Sequence, residues 1–436
     1  MRTIKNQSRE RRILEAVMES SGFWEGLQAV SHRFLLSPSV FTLSRDQQGQ
    51  LAEIALALDQ CLTGLAKMAA VACDPHQGQT ICWQMLGKIF RTGIPGFYHP
   101  LQIAYPEQTP AICKVDLLED VEGHFWIAEI DGHNKHGLGY SVLARRLKKA
   151  TAQLPERDYP GVAPILAKAM QTKGSRELAV IYANQERFYR PELLVLADEL
   201  AKLGIHLEVV DEVDWTSKQP LPKVLLDFPE YNHNQWLRET LASAYFEGEV
   251  SFFIPPKPFL GSKALLAILR NDGLTGMPLT RDEELEEILH QFVDAEALQK
   301  IRGYIPPTFL VSKRLGRIRV SQDAWVELAK SDRYLLKGVV SSGMKQVFFP
   351  DAERYWEQLA SAASTYYLRI LQKEVDQTTR TFGYWEGKEY HEAPFFSRLT
   401  LHVAHGQVAD VIATSRQDKR THGAKDCLQL GGYLLN

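Results

Sequence analysis

The sequence predicts a mixed α+β / α/β chain with a helical N-terminal region, a parallel βαβ unit in its middle and a mostly antiparallel sheet toward its C-terminus. Three observations carry this reading. The first hundred residues place apolar positions at helical spacing. The segment "ELAVIYANQERFYRPELLVLADELAKLGIHLEVVD" (177–211) reads as strand, loop, helix, strand, the pattern of a parallel βαβ unit. Beyond residue 308, short apolar runs punctuated by Gly and Pro describe paired strands. Boundaries placed on these shifts are 1–175, 176–255 and 256–436.

The bulk composition narrows the class of partner. At 436 residues, 45% hydrophobic and 24% charged, the chain has enough apolar material for two or three packed domains. Fifty Lys and Arg stand against 53 Asp and Glu, a net charge of −3. That balance lacks the basic excess that holds proteins on phosphate backbones, so no nucleic-acid partner is expected. The five cysteines, Cys61, Cys73, Cys82, Cys113 and Cys427, are scattered and form no CxxC pair. This argues against a zinc site and a disulfide framework and favours a reducing cytoplasm. The start "MRTIKNQSRERR" is basic, but Glu recurs through the next segment, "ILEAVMESSGFWEGLQAV", and no export signal is read. The most apolar stretch, 51–73, is interrupted by Glu53, Asp59 and Lys67; it reads as a long amphipathic helix, and no membrane partner is expected.

The helical region closes on the turn-rich "TGIPGFYHP" (92–100). Strands at 111–120 and 125–131 flank "VEGH", a hairpin connection with Gly123 in the turn. After the βαβ unit, "KVLLDFPE" (223–230) supplies a third strand, and a helix and a strand run into the Pro-rich break at 255–258. Past the break, "LGSKALLAILRN" (260–271) is a helix with Ser262 as its N-cap and Lys263 in its first turn, and the charged helix "TRDEELEEILHQFV" comes next. Strands are then expected at 308–313, 333–340, 347–350 and 369–375, with a helix near "DAERYWEQLASAAS" and a final pair within 397–416 around His405-Gly406.

Three pieces carry chemistry. In "YLLKGVVSSGMKQVFF" a strand lysine, Lys337, precedes the loop Ser341-Ser342-Gly343. A buried lysine seeks an anion, and a Gly-bearing loop offers backbone N–H groups to phosphates; the same residues also fit an ordinary hairpin with a snorkelling lysine. In "FLGSKALLAIL" a cation, Lys263, stands at the positive end of a helix, which an anion between the two would reconcile; an exposed lysine at a few tenths of a kcal/mol is the plain alternative. In "ICKVDLLEDVEGHFWIAEID" alternation places Asp116 on one strand and Glu129 and Asp131 on its hairpin partner, where three hard oxygen ligands suit Mg2+. Glu119 falls on the opposite face by parity. A solvated strand face with acids paired to Lys114 or Arg145 fits equally.

Taken in this order, the pieces resemble the circularly permuted ATP-grasp enzymes, the group of glutathionylspermidine synthase and eukaryotic-type glutathione synthetase. Lys114-Val-Asp116 and Glu129-Ile-Asp131 resemble that group's Arg-x-Asp and Glu-x-Asn strands, which precede the nucleotide-binding half. The resemblance implies an ATP-grasp fold in circularly permuted order, with an inserted Rossmann-like βαβ domain and a helical N-terminal region. It further implies Mg2+ on Asp116, Glu129 and Asp131, ATP phosphates on Lys337 and Gly343, and ATP phosphate or the adenine side on Lys263. Adenine would lie along the hinge strand "LQKEV" (Gln372, Lys373, Glu374, Val375). Lys114, Ser341, Ser342 and Arg398, the last on "SRLTLHV", are the implied catalytic residues, and His133, Asn134 and Lys135 fall where relatives contact the acyl substrate. Departures from the group's pattern are Lys114 for arginine, which trades a bidentate fork for a point charge, Asp131 for asparagine, and serine for the loop glutamate.

The implied activity is an ADP-forming carboxylate–amine ligase working through an acyl phosphate, with small-molecule or peptide acids and amines as partners. The departures motivate an alternative: a nucleotide-binding protein without ligase chemistry that acts as a regulatory or assembly partner. A stand-alone dinucleotide-binding unit is disfavoured, since no GxGxxG comes after the strand at 178–183. A homo-oligomer is compatible with the sequence.

Overall fold

The computed structural model describes residues 4–25, 33–74, 76, 80–151, 158–216, 220–229, 234–272, 282–315, 318–319, 322–340, 346–365, 367–423, 426–430 and 433–435. The Arg45–Cys73 helix is the scaffold of the N-terminal half. Ser44 starts it with a capping box: its hydroxyl accepts from the Gln47 N–H at 3.2 Å, and the Gln47 side chain accepts from the Ser44 N–H at 3.1 Å. By length and composition this helix is apolar enough to cross a membrane. In the fold its Leu51, Ile54, Leu58, Cys61 and Leu65 are fully buried, because helical spacing lines them up on the stripe that meets the core.

The helix packs against a six-stranded antiparallel sheet. Its path runs Leu428–Gln429, Gln407–Arg416, Glu389–Ala404, Cys113–Glu119, Phe125–Asp131, with Thr379–Glu386 pairing the first half of the long Glu389–Ala404 strand. The hairpin at 113–131 therefore shares a sheet with strands almost 300 residues later in the chain. The sequence-based strand beginning at 397 is the second half of an element that starts at Glu389. The missed half belongs to an edge hairpin turning at Gly387 (φ 59°), whose charged, solvated residues obscure alternation.

A β-bulge sets the phase of the Phe125–Asp131 strand. Asp116 pairs with Glu129 but Leu117 pairs with Ile127, leaving Ala128 as the extra residue. Strict alternation would place Glu129 and Asp131 on the same face as the fully buried Phe125 and Ile127. The bulge reverses the phase, so Ile130 enters the core and both acids move to the face of Lys114 and Asp116.

A second antiparallel sheet is ordered Val347–Phe348, Tyr334–Gly338, Arg369–Lys373, Thr308–Val311. The helices Gln322–Ser331 and Tyr355–Ser364 cover one face through Trp325, Tyr355 and Leu359. A third sheet is parallel, with strand order His206–Asp211, Glu177–Tyr182, Val224–Asp227, Ser251–Ile254. Its order reverses between the second and third of these, which opens a crevice at their carboxyl ends. The Ala264–Arg270 helix begins one residue later than the sequence suggested: Lys263 is the cap position itself, and the Ser262 hydroxyl accepts from the Ala264 N–H at 3.3 Å.

The Leu138–Ala150 helix joins the six-stranded sheet to the parallel one. Its cap, Gly137, has φ 95° and no side chain, and the carboxylate of Glu192 from the Arg190–Lys202 helix accepts the Gly137 N–H at 2.8 Å instead. Gly139 permits that approach, since a Cβ there would lie 1.9 Å from the Glu192 carbonyl oxygen. Gly139→Ala is therefore expected to lower unfolding free energy by about 1–3 kcal/mol in urea titrations, the range for forced overpacking.

Candidate functional site

The site is built on the face of the 113–131 hairpin that the bulge creates. Asp116, Glu129 and Asp131 lie there together, 21%, 33% and 20% exposed, and each is matched to a different cation. Asp131 pairs with Lys114 at 2.8 Å, lies 3.0 Å from His133 Nδ1 and accepts both oxygens' bonds from Asn134 Nδ2 at 3.0 and 2.9 Å. Burial pushes its pKa up, but Lys114 and His133 outweigh that and hold it well below the usual carboxylate range. Lys114 is desolvated too, yet Asp131 raises its pKa above the ordinary value. Glu129 receives Lys263 Nζ at 2.7 Å. Asp116 takes Arg398 Nη1 at 3.2 Å and the Thr400 hydroxyl at 2.7 Å. Arg145, offered by the sequence as another partner for these acids, goes to Asp158 and Asp410 instead. Glu119, on the core face, is held by Arg380.

Lys337 reaches this face from the second sheet. Its strand is buried throughout, and Nζ donates to the carbonyl of Ala128, the bulge residue, at 3.3 Å and to Gln372 Oε1 at 2.5 Å. Among the described residues no carboxylate stands at ion-pair distance from it. Burial accordingly lowers its pKa from 10.5 to about 8, with Glu129 opposing and Lys263 adding to the shift. The Lys263 N–H donates to the Val339 carbonyl at 2.9 Å, fastening the helix start to the end of the Lys337 strand. Four cations, Lys114, Lys263, Lys337 and Arg398, thus face three carboxylates.

The expected adenine strand contributes one residue to this face. Gln372 turns its side chain inward, bridging Lys337 and the Ile127 carbonyl. Lys373 pairs with Asp332 at 2.5 Å, and Glu374 is held by Arg333 at 2.9 Å and by Lys419. The Lys373 and Glu374 N–H groups already donate, to Pro307 and Arg333 carbonyls, and Val375 comes next at the strand end. The Lys373 and Glu374 side chains thus pair with Asp332, Arg333 and Lys419 and not with the three carboxylates. Ser341, Ser342 and Gly343 lie outside the described residues.

The sequence placed Lys135 among the substrate-contacting residues, which its burial contradicts, and it missed His402. Lys135 is fully buried and bonds Glu186 and Asp227 at 3.0 Å each, tying the loop after the carboxylate hairpin to the crevice of the parallel sheet. Beside it His136 stacks on Tyr189, and Glu192, pushed up to about 7 by burial, caps the next helix. His402 pairs in register with Lys114, is fully buried, and both its ring nitrogens lack a hydrogen-bond partner among the described residues. Burial, then Lys114, lowers its pKa to about 3, so the imidazole is neutral. His402 and Thr400 share the parity of Arg398, the one signal by which the sequence could have found them.

No protein-family model matches the sequence, and no curated protein sequence matches it. Among solved structures the chain is similar to GSS30, a glutathione synthetase like-effector from Globodera pallida in its apo form. That likeness has a TM-score of 0.54 at 12% identity and covers 99% of this chain and 98% of the other. A Methylobacillus flagellatus KT protein provisionally named a gamma-glutamylcysteine synthetase matches at a TM-score of 0.36 and 11% identity over 78% of this chain and 84% of its own, too loosely to carry an argument. The first is a likeness of fold: this chain has a mixed α/β architecture of glutathione-synthetase-like type.

Lys337 gives a pH test. Between about pH 8 and 10.5 the unfolded chain holds a proton on this lysine that the folded chain has released, so stability rises with pH across that window. Lys337→Met removes that dependence. The difference in unfolding free energy is expected to move in the wild type's favour by about 3 kcal/mol at most from pH 8 to 10.5, read in urea titrations at both ends.

Proposed function

We propose that this chain is an ATP-dependent carboxylate–amine ligase of circularly permuted ATP-grasp type, the 113–131 hairpin holding metal and the module after residue 256 holding nucleotide. Lys337 is the observation that carries this reading. A buried ammonium with no carboxylate partner among the described residues, beside the face that carries Lys114, Lys263 and Arg398, is matched to a polyanion such as a triphosphate.

The donor set fits Mg2+ in kind: Asp116, Glu129 and Asp131 are hard oxygen ligands on adjacent strands of one face. Among the described residues no three acidic, His or Cys groups converge as a metal cage, because each carboxylate is drawn to its own cation. Bound there, Mg2+ would neutralise charge on the β- and γ-phosphates.

The chain's own groups supply the rest. Lys263 and Lys337 bind phosphate oxygens from the two sides of the cleft. A substrate carboxylate attacks the γ-phosphorus and ADP leaves; Lys114 and Arg398 steady the acyl phosphate, and an amine nitrogen then attacks the acyl carbon as inorganic phosphate departs. Positioning and charge neutralisation carry such a reaction. The loop of His133 and Asn134 lines the acceptor side, held rigid through Lys135. The acid and amine are small molecules or peptides, and the cytoplasm suits an ATP-consuming enzyme with no disulfide among its described residues.

The second reading, nucleotide binding without turnover, draws on Asp131, whose oxygens are already engaged by Lys114, His133 and Asn134. An assay of Mg2+-dependent ADP release over a panel of carboxylic acids and amines separates the two. The ligase reading expects amine-dependent ADP release that Lys337→Met lowers at least about 100-fold with the circular-dichroism spectrum unchanged. Amine-dependent release that survives in Lys337→Met overturns the assignment, and Mg-ATP binding with no turnover on any panel favours the second reading.

A further inference from the structure

The cations and carboxylates of the site neutralise one another in the structure. Lys263 bonds Glu129 at 2.7 Å, Lys114 bonds Asp131 at 2.8 Å and Arg398 bonds Asp116 at 3.2 Å. On the reading above, every carboxylate in these pairs is a metal ligand and every cation meets phosphate. Lys263 is only 3% exposed, and Lys114 only 14%.

Breaking one pair from one side is costly. A triphosphate arriving alone takes Lys263 and leaves Glu129 beside a second buildup of negative charge. A divalent cation arriving alone takes Glu129 and leaves Lys263 buried next to Lys337, which has no carboxylate of its own among the described residues. Removing one member of a buried pair leaves its partner uncompensated, the larger part of the loss when such pairs are broken. Metal and nucleotide arriving together exchange partners in full: carboxylates pass to the metal, ammonium groups to the phosphates.

We propose that the Lys263–Glu129 pair, backed by Lys114–Asp131 and Arg398–Asp116, latches the site, so that the nucleotide and the divalent cation bind as one coupled exchange. This rests on the ligase reading for the identity of the ligands. Its sign is unusual: removing the charge of a metal ligand should strengthen binding of metal-free nucleotide. By reciprocity, removing the lysine should strengthen binding of nucleotide-free metal.

The test uses the full chain and two binding measurements that need no turnover. In calorimetry with ATP and EDTA, Glu129→Gln, nearly isosteric and at a one-third exposed position, is expected to bind ATP about tenfold more tightly than wild type, while the enhancement by Mg2+ shrinks. In paramagnetic-resonance titration with Mn2+ alone, Lys263→Gln is expected to bind the ion about tenfold more tightly than wild type. Thermal melts establish that both variants are folded. If wild type binds Mg-ATP while neither variant gains affinity for the single ligand, the latch is overturned and the ligase reading stands. If wild type binds ATP neither with nor without Mg2+, both fall. A gain in either variant with wild type binding Mg-ATP supports the latch.

Discussion

Three carboxylates on one face of a two-stranded hairpin repel one another, and the rest of the site is arranged around neutralising them. The cations come from separate parts of the chain: Lys114 from the hairpin, Arg398 from the neighbouring strand, Lys263 from a helix start after the Pro-rich break. Two of the three pairs therefore join elements that are distant in sequence. Electrostatics at the centre and assembly of the surrounding modules are the same set of contacts, which is why the face is half-buried without any carboxylate standing alone.

Lys337 is the charge this neutralisation leaves over. It is anchored by two neutral acceptors, one of them the carbonyl that the bulge at Ala128 presents. A bulge beside a reactive face is a recurrent device for aiming groups that regular pairing would misplace. Here it does two things: it swings Glu129 and Asp131 out of the core, and it turns a backbone carbonyl toward the buried ammonium. The desolvated cation is left with neutral acceptors, which is why burial lowers its pKa.

The parallel sheet contributes by clamping. Its crevice receives Lys135 between Glu186 and Asp227, while Glu192 caps the next helix where Gly137 has no side chain to do so. The loop 132–137, directly after Asp131, is fastened in its middle by the buried Lys135 pairs and at its end by the Gly137 N–H bond to Glu192. A loop so fixed keeps Asn134 and His133 at set positions around Asp131.

Much of this was legible in the residues. Alternation alone put Lys114 and Asp116 on one face and Glu119 on the other, since side-chain parity is a property of the local backbone. Glycine at 123 marked the hairpin turn, and helical spacing marked the long core helix through its apolar stripe. The phase of the second hairpin strand was not legible: strict alternation also places Glu129 and Asp131 together, but on the wrong side, and the extra residue at Ala128 appears only when the partner strand fixes the register. Nor did the sequence reveal which cation meets which acid, because Lys263 lies 134 residues from Glu129, and Thr400 lies 284 from Asp116. The sequence by itself determined the chemical inventory and the local faces that carry it. Tertiary structure alone decided the pairing and the phase, because both are set by contacts whose cost or gain exists only once distant segments share a desolvated surface.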